Sequence, residues 1–128
     1  MKKVWLYHRE STKEAAERAV LCFEQLRKFA EKKGYEVVGQ SFDHSGWRDT
    51  ERRSLRVAEE AVKSKKADAI LVINFRVLGR DIQTILEIYQ NIGRPGSLLS
   101  TEGEEVSLSA IAGLFQLVDE EAEKSPES

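Results

Sequence analysis

Two kinds of hydrophobic pattern alternate along the chain. Val4, Trp5, Leu6 and Tyr7 form a short unbroken apolar run that ends in polar residues, as a strand buried on both faces does. Ala15, Ala16, Ala19, Val20, Phe23, Leu26 and Ala30 then recur at three- and four-residue spacing, and Gly34 stands where a helix C-cap belongs. This spacing predicts a long amphipathic helix. Residues 35–42, centred on Val37 and Val38, predict a second strand, which Asp43-His44-Ser45-Gly46 interrupts with turn-forming residues. Leu55, Ala58 and Val62 mark a second helix, and Ala69-Ile70-Leu71-Val72-Ile73 is the strongest strand in the chain. Ile82, Ile85, Leu86 and Tyr89 mark a third helix, ended by Gly93-Arg94-Pro95-Gly96, and residues 97–100 are a weak fourth strand.

Strands that alternate with helices through short loops predict an α/β fold: a mostly parallel sheet of four to five strands flanked by helices. Sites in such sheets form at the carboxyl ends of the strands. Attention therefore falls on residues 8–12, 43–53 and 74–81. The segment 107–124 differs, because Leu108, Ile111, Ala112, Leu114, Phe115, Leu117 and Val118 cover more than one helical face. A helix of that kind needs two partner surfaces, so it predicts a C-terminal dimerisation helix and a homodimer or homo-oligomer. The expected organisation is one domain over 1–106, the dimerisation helix over 107–124 and a disordered tail over 125–128.

Composition narrows the function. At 128 residues, 41% hydrophobic and 33% charged, the chain has the size and balance of one globular domain. Cys22 is the only cysteine, so no intrachain disulfide and no Cys/His zinc site are expected. No run of about 18 apolar residues is present, and the expected setting is the cytoplasm, away from membranes. Net charge is −2, whereas duplex DNA is gripped through clustered Lys and Arg. Any contact with DNA is thus expected to be weak for this chain alone, resting on a local patch or on a partner.

The strand-end residues carry a resemblance. Tyr7-His8-Arg9-Glu10-Ser11 is similar to the Tyr-x-Arg-x-Ser signature of the serine recombinases, the resolvase and invertase family. Residues 26–38 resemble that family's first helix and second strand, and Asp43-x-Ser45-Gly46 resembles its Asp-x-x-Ser-Gly loop, one residue shorter. Residues 71–80 resemble its third strand and Asp-Arg-Leu-x-Arg turn, and Thr101-Glu102-Gly103 its Thr-Glu-Gly segment. The resemblance runs from about residue 3 to about residue 118. It implies a resolvase-like fold and a metal-free, cofactor-free transesterification, in which a serine hydroxyl attacks a DNA phosphate. By position, Ser11 matches the nucleophile, and Arg9 and Arg80 match catalytic phosphate ligands. Arg52 matches a further phosphate-binding arginine if one residue is inserted after Gly46.

Departures from the pattern matter as much. Arg76-Val77 stands where the family has Asp-Arg, which replaces a carboxylate by Arg76 and a central arginine by Val77. Arg76 is then a candidate substitute phosphate ligand, although neighbouring side chains on a strand point to opposite faces. Cys22 falls at or near a polar glutamine of the family. Asp119, Glu120, Glu121 and Glu123 occupy the helix end that in the family becomes basic, lies along DNA and leads to a DNA-binding domain; no such domain is expected here.

Each residue also has a plainer explanation. Ser11-Thr12-Lys13-Glu14 fits a capping box for the first helix. Arg9 and Arg80 fit surface ion pairs, Arg52, Arg53 and Arg56 a solvated helix start, His8 an exposed bystander and Cys22 a core position. Three functions stay open: a degraded recombinase domain that dimerises or regulates, an active recombinase core that borrows its DNA binding from a partner, and a phosphate-binding α/β protein unrelated to recombination.

Overall fold

A computed structural model describes residues 1–44, 52–79 and 81–102. Four strands, β1 (Lys3–Arg9), β2 (Glu36–Asp43), β3 (Ala69–Val72) and β4 (Ser97–Ser100), pair in the order β2-β1-β3-β4, every pair parallel. The connections carry α1 (Ala15–Lys33), α2 (Arg53–Lys63) and α3 (Ile82–Ile92), and a single 3-10 turn, Phe75–Val77, precedes α3.

Apolar runs become strands here because both faces of the sheet are covered. Val4 and Leu6 pack with Ala69, Leu71 and Leu99 against Ala19, Phe23, Leu26 and Ala30 of α1. Trp5 and Tyr7, one step out of phase, join Ile70, Val72 and Leu98 against α2 and α3. Each fully buried Leu or Ile in these layers contributes roughly 1.5–3 kcal/mol. Strand β4, weak as a sequence pattern, is buried throughout and pairs with β3 along its whole length. It lies at the residues its pattern predicts, and its weak local signal is completed by tertiary packing.

Helix ends show which signals were local. Gly34 closes α1 in a left-handed conformation, with its amide donating to Glu31 O, as its position predicts. The N-terminus corrects the capping-box expectation: α1 begins at Ala15, its N-cap is Glu14, no side chain caps it, and Ser11 is exposed before the helix. At α3 the cap is Asp81, whose carboxylate accepts from Thr84 N and Thr84 Oγ1, both at 2.8 Å. The anticipated helix over 107–124 and the tail lie outside the described residues.

The β1/β2 register shifts between Val4 and Trp5, beside Gly39. A Cβ on Gly39 would come 2.2 Å from Cζ3 of Trp5, so glycine at this position makes room for the indole. Trp5 Nε1 donates to Ser41 Oγ at 2.9 Å, which fixes the ring. We expect Gly39→Ala to destabilise the fold by about 1–3 kcal/mol in urea denaturation followed by tryptophan fluorescence. An unchanged midpoint would mean that the strand yields without cost.

Candidate functional site

The strand order reverses direction across β1. From β1 the chain moves outward to β2, then returns past β1 to β3 and on to β4, with α1 on one face and α2 and α3 on the other. The loops after β1 and β3 consequently diverge, leaving a crevice at the carboxyl ends of these two strands. An open cleft of about 280 Å³ lies there, lined by His8, Arg9, Glu10, Ser11, Asn74, Arg76 and Val77.

Three of the residues singled out in the sequence, Arg9, Ser11 and Arg76, thus share one cleft. Arg9 is buried at the end of β1, and Ser11 is exposed in the loop that follows. Arg76 reaches the cleft because β3 ends at Val72, so strand alternation no longer applies at residue 76. Asn74 accepts from Arg76 N at 3.1 Å and starts the 3-10 turn, which brings Arg76 and Val77 to the same cleft. Ser100 Oγ and Thr101 Oγ1 both donate to Ile73 O, at 3.0 and 2.9 Å, anchoring the chain where it leaves β3. Arg80, Ser45 and Gly46 lie outside the described residues.

His8 corrects its sequence reading. It is buried, stacked on Phe42 with 6.3 Å between ring centroids and set edge-on to Phe23. Its Nε2 donates to Glu10 Oε2 at 3.0 Å, and its buried Nδ1 has no partner among the described residues. The Glu10 carboxylate at the cleft is therefore tied to an imidazole. Cys22 is half-buried and not a core residue; burial pushes its thiol pKa up, the Glu10 charge adds to this, and Arg18 opposes it.

Arg52 departs furthest from a solvated helix start. It is buried, with a left-handed backbone (φ 40°, ψ 60°) that costs a non-glycine residue roughly 1–2 kcal/mol. One guanidinium nitrogen donates to Leu78 O, and the other donates to Val77 O at 2.7 Å and to Tyr7 Oη at 3.0 Å. Tyr7 Oη in turn donates to Asp43 Oδ2 at 2.8 Å. The Asp43 carboxylate also accepts from Ser54 N and Leu55 N, each at 3.0 Å, so it caps α2 from the end of β2. The two terminal nitrogens are thereby engaged by protein groups, the buried Nε has no partner among the described residues, and the cleft lining does not include Arg52. Arg53 and Arg56 stay exposed, as a solvated helix start requires.

This geometry has known counterparts. The family description "Resolvase, N terminal domain" matches residues 4–119. The chain belongs to the resolvase family. Among solved structures, this resolvase domain is similar to a resolvase family site-specific recombinase from Streptococcus pneumoniae, with a TM-score of 0.75 and 26% identity over 96% of this chain and 89% of that one. The N-terminal catalytic domain of TP901-1 integrase gives 0.75 at 24% identity, over 95% and 98% of the two chains. The C-terminal catalytic domain of ISC1926 TnpA, an IS607-like serine recombinase, gives 0.68 at 23% identity, over 91% and 79%. No curated protein matches the resolvase domain in sequence. Among the described residues no group of three or more His, Cys, Asp or Glu is placed to hold a metal ion, and no helix is long and apolar enough to cross a membrane.

The buried hydroxyl at the centre of this network is titratable. Burial pushes the Tyr7 pKa well above its ordinary value, against the opposing charge and hydrogen bond of Arg52, and the bond to Asp43 adds to the rise. The unfolded chain releases this proton near pH ~10, whereas the folded chain holds it. The contribution to stability is therefore complete below about pH 10 and is lost as pH climbs towards the raised folded value. In urea titrations between about pH 9 and 11, wild type is expected to lose stability more steeply than Tyr7→Phe. Equal slopes would show that the hydroxyl is not held in this way.

Proposed function

We propose that this resolvase domain acts on DNA by serine transesterification in the cleft between the β1 and β3 loops. The observation that carries this reading is that Arg76 shares the Ser11 cleft with Arg9, adding a second guanidinium where Val77 lacks one. In the reaction, Ser11 Oγ bonds to a backbone phosphorus while the bond from phosphorus to the 3′ oxygen breaks. The hydroxyl proton ends on that oxygen, leaving a phosphoserine link and a free 3′ hydroxyl.

Ser11 is suited to attack because its side chain is exposed and does not cap α1. Negative charge builds on the phosphoryl oxygens in the transition state, and the guanidinium groups of Arg9 and Arg76 stay protonated while binding such oxygens. Arg80 completes the set by its place in the sequence, two residues after Leu78. The Glu10 carboxylate opposes phosphate entry, and its bond to His8 restrains it. Weak DNA binding by the chain alone and association through residues 107–118 belong to the same reading, as does a cytoplasmic setting.

A second reading has its own observation. Val77 lines the cleft at the position of a family arginine, and the loss of one positioned donor typically costs about 10²–10³ in rate. A domain retained only for association would form no adduct.

Incubation with a pool of nicked random-sequence duplexes, read on a denaturing gel, separates the two. We expect a covalent protein–DNA adduct in wild type and none in Ser11→Ala. Failure of wild type to form one, while folded, favours the associating module. Arg76→Ala is expected to slow adduct formation by about 10²-fold or more, whereas an unchanged rate would remove Arg76 from the site.

A further inference from the structure

The Arg52 side chain ties together segments that are distant in sequence. Its two terminal nitrogens reach Leu78 O, Val77 O and Tyr7 Oη, and its guanidinium carbon lies 5.7 Å from the centre of the Tyr7 ring. Through Tyr7 and Asp43 the same network holds the ends of β1 and β2 and the first amides of α2. The carbonyls of Val77 and Leu78 thus face Arg52, while the side chains of Arg76 and Val77 line the Ser11 cleft.

Arg52 is buried away from the cleft and its Nε, unpartnered among the described residues, is shut off from solvent, so its terminal nitrogens could grip a phosphate only by turning away from both carbonyls. Leu78 is fully buried, so its carbonyl would be left without a partner away from water, which is costly. A planar fork that meets two adjacent carbonyls is work that lysine's single ammonium group does poorly. The left-handed backbone at Arg52 is a further cost, accepted where it turns this side chain inward.

We infer that Arg52 is a positioning residue: it clamps the 75–78 turn by its carbonyls and so sets the pose of Arg76 against Ser11, without contacting the phosphate itself. The effect on catalysis rests on the function proposed above; the clamp does not.

Amide hydrogen exchange reads the clamp directly, because the amides of Val77, Leu78 and Gly79 close the turn onto Asn74 O and Phe75 O. In Arg52→Lys, which keeps the charge, exchange at these three amides is expected to rise tenfold or more, with β1 and β3 amides unchanged. With nicked duplex, the adduct rate at saturation is expected to fall tenfold or more, while the half-saturating concentration and the slope of log K against log salt stay as in wild type. The inference is overturned if exchange at 77–79 is unchanged in Arg52→Lys, or if Arg52→Met, which removes the charge, lowers the salt slope by about 0.9, the signature of one lost phosphate contact. If Arg52→Lys loosens the whole domain, Arg52→Met decides, because it removes both carbonyl contacts without leaving a buried charge at this position: a selective rise at 77–79 supports the clamp, and no change there refutes it. A wild type that forms no adduct ends the catalytic reading but leaves the exchange comparison to settle the clamp.

Discussion

The parallel pairing of β1 with β2 on one side and β3 on the other is the constraint on which the molecule turns. Once β1 is central, its side chains must be apolar on both faces, and Val4, Trp5, Leu6 and Tyr7 meet that need. The reversal of winding across β1 also parts the loops that follow β1 and β3. Folding and site formation therefore share a cause, since the arrangement that buries the core opens the crevice. Polar chemistry enters where the apolar run stops, at His8, Arg9, Glu10 and Ser11.

Much of this was legible from pattern. Continuous apolar runs at β1 and β3, the helical spacing of α1 and the glycine at its end are local signals, and local signals survive folding. The resemblance reached further, bringing Arg9 and Ser11 to one strand end. What escaped was whatever depends on distant partners. His8 looked exposed, yet Phe23 and Phe42 enclose it. Arg52 sat in a charged stretch that resembled a solvated helix start, but Tyr7 and two carbonyls draw it inside. Strand periodicity argued against Arg76, and the early end of β3 removes that objection. Ser11 fitted a capping box by spacing alone, a motif that needs the helix to begin three residues sooner than it does.

Charge is handled by two different arrangements a few residues apart. In the buried network, Asp43 and Arg52 meet through the Tyr7 hydroxyl, and, although Arg52 Nε has no partner among the described residues, each makes two further bonds to backbone groups. Such satisfaction is what makes ionic groups tolerable away from water. At the cleft, by contrast, Arg76 is exposed and Glu10 is bound to a neighbouring imidazole. The first arrangement suits a rigid frame, and the second leaves positive charge accessible to an anion.

Because Ser11 stands exposed before α1 and does not cap it, its hydroxyl is not among the groups that end the helix. Chemistry and architecture are consequently separable at this position. A lineage could lose the hydroxyl in a single substitution and keep the fold, so under the proposed function an active domain and an inert relative of it can stand one codon apart.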